Sequence, residues 1–266
     1  METFASKVER WRLQRSLSAA PTTRHFHVEI VKIILDHWPR RDQPVAEISI
    51  DDVLAFAEKV AHYCPSRWNA VVGVLRFVTP HGRELKRRKL KLTRQAPPNQ
   101  LEFARLLAEA DRLKRSKAGL VIAFLANTGL RITAAQNVKW SDVHENRIEY
   151  VAKGGRRCSV PIFESLRPVL SRLRTVTGET DFVLPRGHIR RGLAKACARA
   201  GLRPLNHHDF RHLFTTRCVE SGVDLPTLSR WRGDADGGAM LSKRYFHLLD
   251  SHSYAMAGRV RIGLAA

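Results

Sequence analysis

A basic segment bounded by turn residues divides this chain at about its first third. Thr79-Pro80-His81-Gly82 has the composition of a turn. Lys and Arg dominate the residues that follow, and Ala96-Pro97-Pro98 then favours stiff, extended backbone. We therefore expect a helical domain at residues 1–82, an interdomain linker at 83–98 and a second domain at 99–266.

The charge of the chain points to a polyanionic partner. The 266 residues include 46 Lys and Arg against 25 Asp and Glu, a net charge of +21. Such an excess destabilises a compact fold by self-repulsion unless a polyanion is bound, so nucleic acid is the first partner to consider. The alternative is a basic protein of ribosomal type or one that is merely soluble. In the linker, the residues expected to lie along a DNA backbone, rather than to form a solvated face, are Arg83, Lys86, Arg87, Arg88, Lys89, Lys91 and Arg94.

The composition also excludes several classes of protein. Hydrophobic residues make up 44%, which is too many for a disordered basic tail. The four cysteines, none of them in a C-x-x-C pair, indicate neither a zinc site nor a disulfide framework and fit a reducing cytoplasm. The first residues lack the pattern of a signal peptide, and no apolar run is long enough to span a membrane. We expect a cytoplasmic protein.

The first domain is predicted to be helical. A cap at Thr22 or Thr23 would start one helix, Ser49 with Asp52 a second, and Ser66 a third. The apolar positions expected in the core repeat with helical spacing. They are Val28, Val31, Ile34, Leu35 and Trp38 in the first helix, Val53, Phe56 and Val60 in the second, and Val71, Val72, Leu75 and Val78 in the third.

The second domain is predicted to be helical with one β-hairpin. Asn99 would cap a helix, and residues 118–127 form a more buried one. Residues 147–151 alternate like a strand, Gly154-Gly155 forms a turn, and the second strand covers 158–162. Further helices are expected at about 164–174, 188–200, 207–221, 225–232 and 239–247.

Four short motifs in this domain carry side chains suited to phosphate chemistry. They are Thr128-Gly129-Leu130-Arg131, Lys153-Gly154-Gly155, His208-Asp209-Phe210-Arg211-His212, and the segment from Trp231 to Leu248 with Tyr245. A His three residues before an Arg shares its helix face. Two arginines, a histidine and a tyrosine are the groups needed to attack a phosphodiester without a metal. The four motifs and their order resemble the tyrosine recombinase (phage integrase) family, over nearly the whole chain.

The resemblance implies a fold, a reaction and roles for five residues. The fold is mainly α, a two-domain DNA clamp with a helical core-binding domain and a mostly helical catalytic domain with a small antiparallel β-sheet. Tyr245 would form a 3′-phosphotyrosyl link, with Arg131 and Arg211 clamping the non-bridging oxygens. Lys153 would protonate the leaving 5′ oxygen and His208 would assist as acid, base or donor. Neither cofactor nor metal is implied.

Several side chains near these residues leave alternatives open. Arg156 and Arg157 rival Lys153 for a DNA contact at the hairpin, and Arg244 is a further candidate DNA contact. Tyr254 is the rival nucleophile, although the Arg-Tyr-Phe-His-Leu context favours Tyr245.

Two positions depart from the family pattern. Asp234 stands where a His or Trp usually donates to the phosphate. A carboxylate about 4 Å from a phosphate oxygen would be repelled by roughly 4 kcal/mol. The alternatives are that Asp234 turns away to pair with Arg232 or Arg244, is protonated on DNA, or is replaced as donor by His212 or Trp231. Ala134 replaces a frequent acidic residue, which predicts a less rigid Arg131.

The resemblance also implies partners. The substrate would be double-stranded DNA, with no membrane and no small-molecule substrate, and the protein would assemble as a tetramer on DNA. The tail from Leu248 to Ala266 would dock on a neighbouring protomer or, alternatively, pack on its own domain. Two other functions remain open: a DNA-binding relative with weak or no catalysis, and a type IB topoisomerase-like nicking-closing enzyme.

Overall fold

The computed structural model describes residues 1–90, 95–113, 117–185, 187 and 189–245, with the side chain of Arg244 left out. Within these residues the chain forms two compact units, Met1–Arg94 and Gln95–Ala266. The predicted mainly α class with a small antiparallel sheet is confirmed. The predicted positions of Lys91, Arg94, Tyr254 and the tail from Leu248 lie outside the described residues.

The described residues of the first unit, 1–90, form four α-helices around one hydrophobic core. They are α1 (Phe4–Ser16), α2 (Pro21–His37), α3 (Ile50–Lys59) and α4 (Pro65–Val78). Helix α1 was not predicted, because only Phe4 and Val8 of its residues are buried and the others are mostly charged or polar. Phe4 stacks on Trp38, with ring centroids 3.9 Å apart, so even this polar helix is fixed to the core.

The prediction of which apolar residues of α2 lie in the core is only partly correct. Val31, Ile34 and Trp38 are buried as expected, but Val28 is 47% exposed. Ile30, which the prediction left out, is buried in its place. Because Ile30 and Ile34 are one helical turn apart, the buried face passes through them and leaves Val28 outside.

Local capping explains the starts of the next two helices. Ser49 and Asp52 form the predicted capping box, in which the Ser49 side chain accepts from the Asp52 N–H and Asp52 accepts from the Ser49 N–H. Helix α4 begins at Pro65 rather than at Ser66. Proline suits the first turn of a helix, where its missing N–H would have no intrahelical partner. The predicted core positions of α3 and α4 are buried.

The predicted linker does not begin at residue 83. Leu85 is buried in the first core, and the Trp68 indole donates to the Lys86 carbonyl at 2.9 Å. The guanidinium of Arg88 lies 4.1 Å from the centre of the Trp68 ring and donates to the carbonyls of Ala61 and Tyr63. Residues 83–90 thus belong to the first unit, and the contacts of Arg88 tie this segment to α4 and to the turn before it.

The second unit surrounds a central buried helix. Its elements are α5 (Gln100–Asp111), α6 (Ala118–Thr128), α7 (Ile132–Ala135), β1 (Arg147–Val151), β2 (Arg157–Pro161), α8 (Arg167–Thr177), α9 (Arg190–Arg199), α10 (His207–Glu220), α11 (Leu225–Arg232) and α12 (Ala239–Tyr245). Nearly every residue of α6 is buried, and it packs on α5, α8 and α10. Asn99 caps α5 as predicted.

The hairpin packs one face of its short sheet into this core. Strands β1 and β2 pair antiparallel, and the partners Ile148 and Val160 are both fully buried. Gly154 and Gly155 form the turn with φ of 88° and 81°, values that favour glycine. Within the described part of the chain, no helix is both long and apolar enough to cross a membrane.

Candidate active site

The start of α10 is fixed by a buried carboxylate. Asp209 accepts from the backbone N–H of Asn206 at 2.7 Å and from the Arg203 guanidinium at 2.7 Å. Asn206 in turn accepts from the N–H of His208 at 2.8 Å. This capping box leaves His208 exposed in the first turn and directs Arg211, one turn later, into the protein.

Arg211 is buried and held by the ends of two other helices. Its side chain is 4% exposed. One amino group donates to the Gly129 carbonyl at 2.6 Å and the other to the Arg232 carbonyl at 3.1 Å. These carbonyls lie at the C-terminal ends of α6 and α11, where the helix dipole favours a cation. Burial lowers the pKa of Arg211 to about 10, so the guanidinium still carries its charge at neutral pH.

The Thr-Gly-Leu-Arg motif is a helix end that positions Arg131. Gly129 closes α6 in the left-handed region with φ of 63°, and a Cβ there would lie 2.3 Å from the Phe214 ring. Only glycine meets both constraints. The turn places Arg131 directly before α7, with its side chain 34% exposed.

Asp234 lies between the two arginines of the predicted phosphate clamp. Its Oδ1 is 2.6 Å from Nη2 of Arg211 and 3.1 Å from Nη2 of Arg131, and its Oδ2 is 3.2 Å from Nε of Arg232. The expected pairing with Arg232 is therefore present, whereas the side chain of Arg244 is outside the described residues. However, Asp234 does not turn away from the clamp, because both catalytic candidates bind the same carboxylate oxygen.

The loop carrying Asp234 is packed on the hairpin. Gly233 ends α11 with φ of 62°, and a Cβ there would lie 2.7 Å from Cβ of Ala152 and 2.8 Å from the Tyr150 hydroxyl. Tyr150 donates to the Trp231 carbonyl at 2.7 Å, and burial raises the pKa of Tyr150, which keeps it a donor. Arg156 donates to the Gly233 carbonyl at 3.0 Å.

Tyr245 lies at the edge of the same cluster. Its side chain is buried, with 6% exposure, and its hydroxyl is hydrogen-bonded to Nδ1 of His212. A cavity of about 260 Å³ lies here. Its lining residues are Arg131, His212, Arg232, Asp234, Ala235, Asp236, Met240, Leu241 and Tyr245.

The structure thus brings together some of the predicted site residues and not others. Arg131, Arg211, Asp234 and Tyr245 form one cluster through direct contacts or the shared cavity. Lys153 is exposed in the hairpin turn and His208 is exposed at the start of α10, and neither is among the described residues lining the cavity.

Two members of the cluster had no catalytic prediction. His212 was considered only as a replacement phosphate donor, and its signal was its place directly after Arg211. Arg232 was considered only as a partner for Asp234, yet it also donates to the Thr215 hydroxyl at 2.8 Å, which fixes it to α10. The hydrogen bonds between His212 and Tyr245 and between Arg232 and Thr215 each join two different helices, so neither follows from local sequence alone.

The second unit is similar to known protein families and structures. Residues 99–252 match the model of the phage integrase family. Tyrosine recombinase XerD of Listeria monocytogenes serotype 4b (strain F2365) is 28% identical in an alignment 138 positions long, which covers 44% of this chain and 46% of that protein. Tyrosine recombinase XerC of Staphylococcus epidermidis (strain ATCC 35984) is 26% identical in an alignment 157 positions long, which covers 53% of this chain and 52% of that one. The aligned part is about half the length of each relative.

Solved structures share the fold at low sequence identity. A lambda integrase dimer bound to a COC′ core site gives a TM-score of 0.76 at 18% identity, covering 91% of this chain and 77% of the other. The Tn1549 transposon integrase bound to transposon right end DNA gives 0.72 at 13% identity, covering 96% and 100%. Because the family model spans more than half of the sequence and includes all four motifs, the chain belongs to the phage integrase family.

Proposed function

We propose that this protein is a site-specific DNA recombinase that cleaves and rejoins DNA through a 3′-phosphotyrosyl intermediate at Tyr245, with neither metal nor ATP. One observation carries the proposal. Arg131 and Arg211 both donate to a single oxygen of Asp234, at 3.1 and 2.6 Å. Two guanidinium groups converging on one anionic oxygen beside a buried tyrosine form a site for the non-bridging oxygens of a phosphodiester.

The reaction assigns one step to each group. Tyr245 Oη bonds to phosphorus, and the bond from phosphorus to the 5′ oxygen breaks. Lys153, exposed in the hairpin turn, protonates the leaving 5′ oxygen, and His208 assists as a hydrogen-bond donor or acid/base. The two arginines stabilise the charge that builds up on the phosphate. Because the phosphotyrosyl link retains the bond energy, rejoining is the same sequence in reverse.

Duplex DNA is the proposed substrate, and it agrees with the charge of the chain. The net charge is +21, and Arg83, Lys86, Arg87 and Lys89 are exposed. Phosphate contacts would supply most of the affinity. Arg157 on β2 is also exposed, whereas Arg156 already donates to the protein backbone.

The proposed assembly on DNA is supported by one structure of similar fold. Lambda integrase, which shares the fold at a TM-score of 0.75, has been solved as a tetramer bound to a Holliday junction. Strand exchange needs two duplexes with two cleavages each, so we propose a tetramer for this chain as well. The tail from Leu248 to Ala266 would connect neighbouring protomers.

A second candidate function is a DNA-binding relative that cleaves weakly or not at all. The position of Asp234 favours it, because its carboxylate occupies the oxygen site of the clamp, with a side chain only 11% exposed. A phosphate would have to displace this carboxylate or bind beside it.

Strand exchange between two duplexes separates these functions. Labelled duplexes from DNA flanking the gene are incubated with the protein in EDTA, and relaxation of a supercoiled plasmid carrying the same DNA is measured in parallel. We expect recombinant products that are absent with Tyr245→Phe and present with Tyr63→Phe, a matched control in the first unit. Relaxation without exchange would indicate a topoisomerase, and specific binding without either product would indicate the binding-only relative.

A further inference from the structure

The hydroxyl of Tyr245 has a specific partner within the second unit. It is hydrogen-bonded to Nδ1 of His212, and the two ring centroids lie 6.2 Å apart at an interplanar angle of 41°. Tyr245 is buried and His212 is half-buried. The partner comes from the middle of α10, one residue after the clamp residue Arg211, so the backbone that holds the clamp also holds the imidazole.

Attack by a tyrosine requires that its proton be removed. A free phenol titrates near pH 10 and is a poor nucleophile while protonated. Among the described residues, the charged side chains that line the cavity with Tyr245 are Arg131, Arg232, Asp234 and Asp236. A guanidinium has no acceptor for a proton.

Both carboxylates already have donors. Asp234 is engaged by three guanidinium groups, and Asp236 accepts from the backbone N–H groups of Gly238 and Met240. His212 lines the same cavity, and its Nδ1 is in hydrogen-bond contact with the hydroxyl of the nucleophile.

We infer that His212 is a catalytic residue that accepts the phenolic proton of Tyr245 as Oη attacks the phosphorus. The inference rests on the proposed function and adds to it. The proton passes from Oη to Nδ1, the bond from Oη to phosphorus forms, and the bond to the 5′ oxygen breaks. A separate group, proposed above as Lys153, supplies the proton to that oxygen. In the rejoining step His212 returns the proton to Tyr245.

A variant that keeps the hydrogen bond but removes the base tests this role. His212→Asn places an amide near the position of Nδ1, and His212→Gln is a second choice if the first fails to fold. The rate of adduct formation on nicked duplex is measured from pH 5.5 to 9.5, with DNA affinity and Tm alongside. His144→Asn, an exposed histidine of the same unit, is the matched control.

The expected result is a pH-dependent loss of rate. General base catalysis typically contributes about 10²–10⁴-fold, so we expect His212→Asn to slow adduct formation at pH 7.5 by about 100-fold with unchanged DNA affinity. The rate of the unaltered protein should fall in acid, because a protonated imidazole cannot accept the phenolic proton, and the variant should lack this fall. An unchanged rate and pH profile in both variants would make the contact merely structural and overturn the inference.

The leaving group provides an independent test. A duplex with sulfur in place of the bridging 5′ oxygen needs no acid, because a thiolate leaves readily. We expect this substrate to restore adduct formation by Lys153→Ala but not by His212→Asn. Restoration of His212→Asn would assign His212 to the leaving group and refute its role at Tyr245. If the unaltered protein forms no adduct on either substrate, the proposed function itself fails. If the unaltered protein forms the adduct and His212→Asn forms it at the same rate, only the inference about His212 fails.

Discussion

The Asp234→Asn variant retains the shape of the side chain and removes its charge from the clamp. In the unaltered protein, Asp234 binds Arg211, Arg232 and Arg131, whose side chains are 4%, 10% and 34% exposed. We expect the variant to be less stable and yet to form the covalent DNA adduct faster. The two effects have the same origin, because the charge that neutralises the arginines also occupies the site of the phosphate oxygen.

The loss of stability follows from the burial of the arginines. Removing one partner of a buried ion pair costs about 3–5 kcal/mol, and we take about 3 because Arg131 is screened by solvent. For a unit of this size each kcal/mol lowers Tm by roughly 2–4 °C, so a fall on the order of 10 °C is expected. Sulfate should restore Tm in the variant more than chloride at equal ionic strength, since it can replace the carboxylate.

The gain in rate follows from the repulsion that is removed. A carboxylate about 4 Å from a phosphate oxygen costs roughly 4 kcal/mol at an effective dielectric of 20. That figure corresponds to about a thousandfold in rate and is an upper limit, because any rotation of Asp234 away from the bound phosphate would reduce the repulsion. We expect adduct formation on nicked duplex to rise by roughly 10- to 1000-fold in Asp234→Asn.

Glu220→Gln is the matched control for this experiment. It removes one carboxylate at the other end of α10, about 13 Å along the helix from Arg211, beyond the range of a screened charge. Its adduct rate should be unchanged. A folded Asp234→Asn that forms adduct more slowly than the unaltered protein would refute the reasoning. The carboxylate would then be needed to orient Arg131, a task that Ala134 cannot perform.

Three further outcomes are expected. Gly233→Ala should lower the free energy of unfolding of the second unit by more than about 2 kcal/mol, because it combines a strained backbone with a steric clash. Gly237 also has φ of 62° but has nothing within 4 Å of the position that a Cβ would take, so Gly237→Ala should cost only about 1 kcal/mol. Thermal unfolding measures both. Asp52→Asn should cost about 1 kcal/mol at pH 7, because the backbone N–H of Ser49 is the largest of the interactions that hold the pKa of Asp52 well below its usual range. That stability is present above pH 4 and is lost as the pH falls through the folded-state pKa, so unaltered and variant proteins should converge in acid; a constant gap would contradict the assignment. DNA affinity should fall linearly on logarithmic axes with salt concentration, and a flat dependence would exclude phosphate contacts as its main source.

Local features of the fold were predictable from the sequence. The capping boxes at Ser49 and Asn99 each depend on residues three positions apart, and the hairpin turn depends on two adjacent glycines. Helix α1 was missed because its buried face consists of only Phe4 and Val8. Helix α1 is stabilised by packing on the rest of the first unit, and the spacing of apolar residues in the sequence does not reveal this packing.

The contacts of the candidate site were less predictable because they join distant positions. The pair between Arg131 and Asp234 spans 103 residues, and the bond between His212 and Tyr245 spans 33. The motifs identified which residues were chemically suited to the site. They did not indicate that Asp234 would occupy the clamp, because that depends on how α6, α10 and α11 end against one another.

Identification of the residue that becomes linked to DNA tests the central claim most directly. The protein is incubated with nicked duplex in EDTA and stopped with SDS. The adduct is then digested with protease and nuclease, and the tyrosine that carries the nucleotide is identified by mass spectrometry. We expect the 3′-phosphate to be attached to Tyr245 and the adduct to vanish in Tyr245→Phe. An adduct on Tyr254 or any other residue, or one that persists in Tyr245→Phe, would contradict the account.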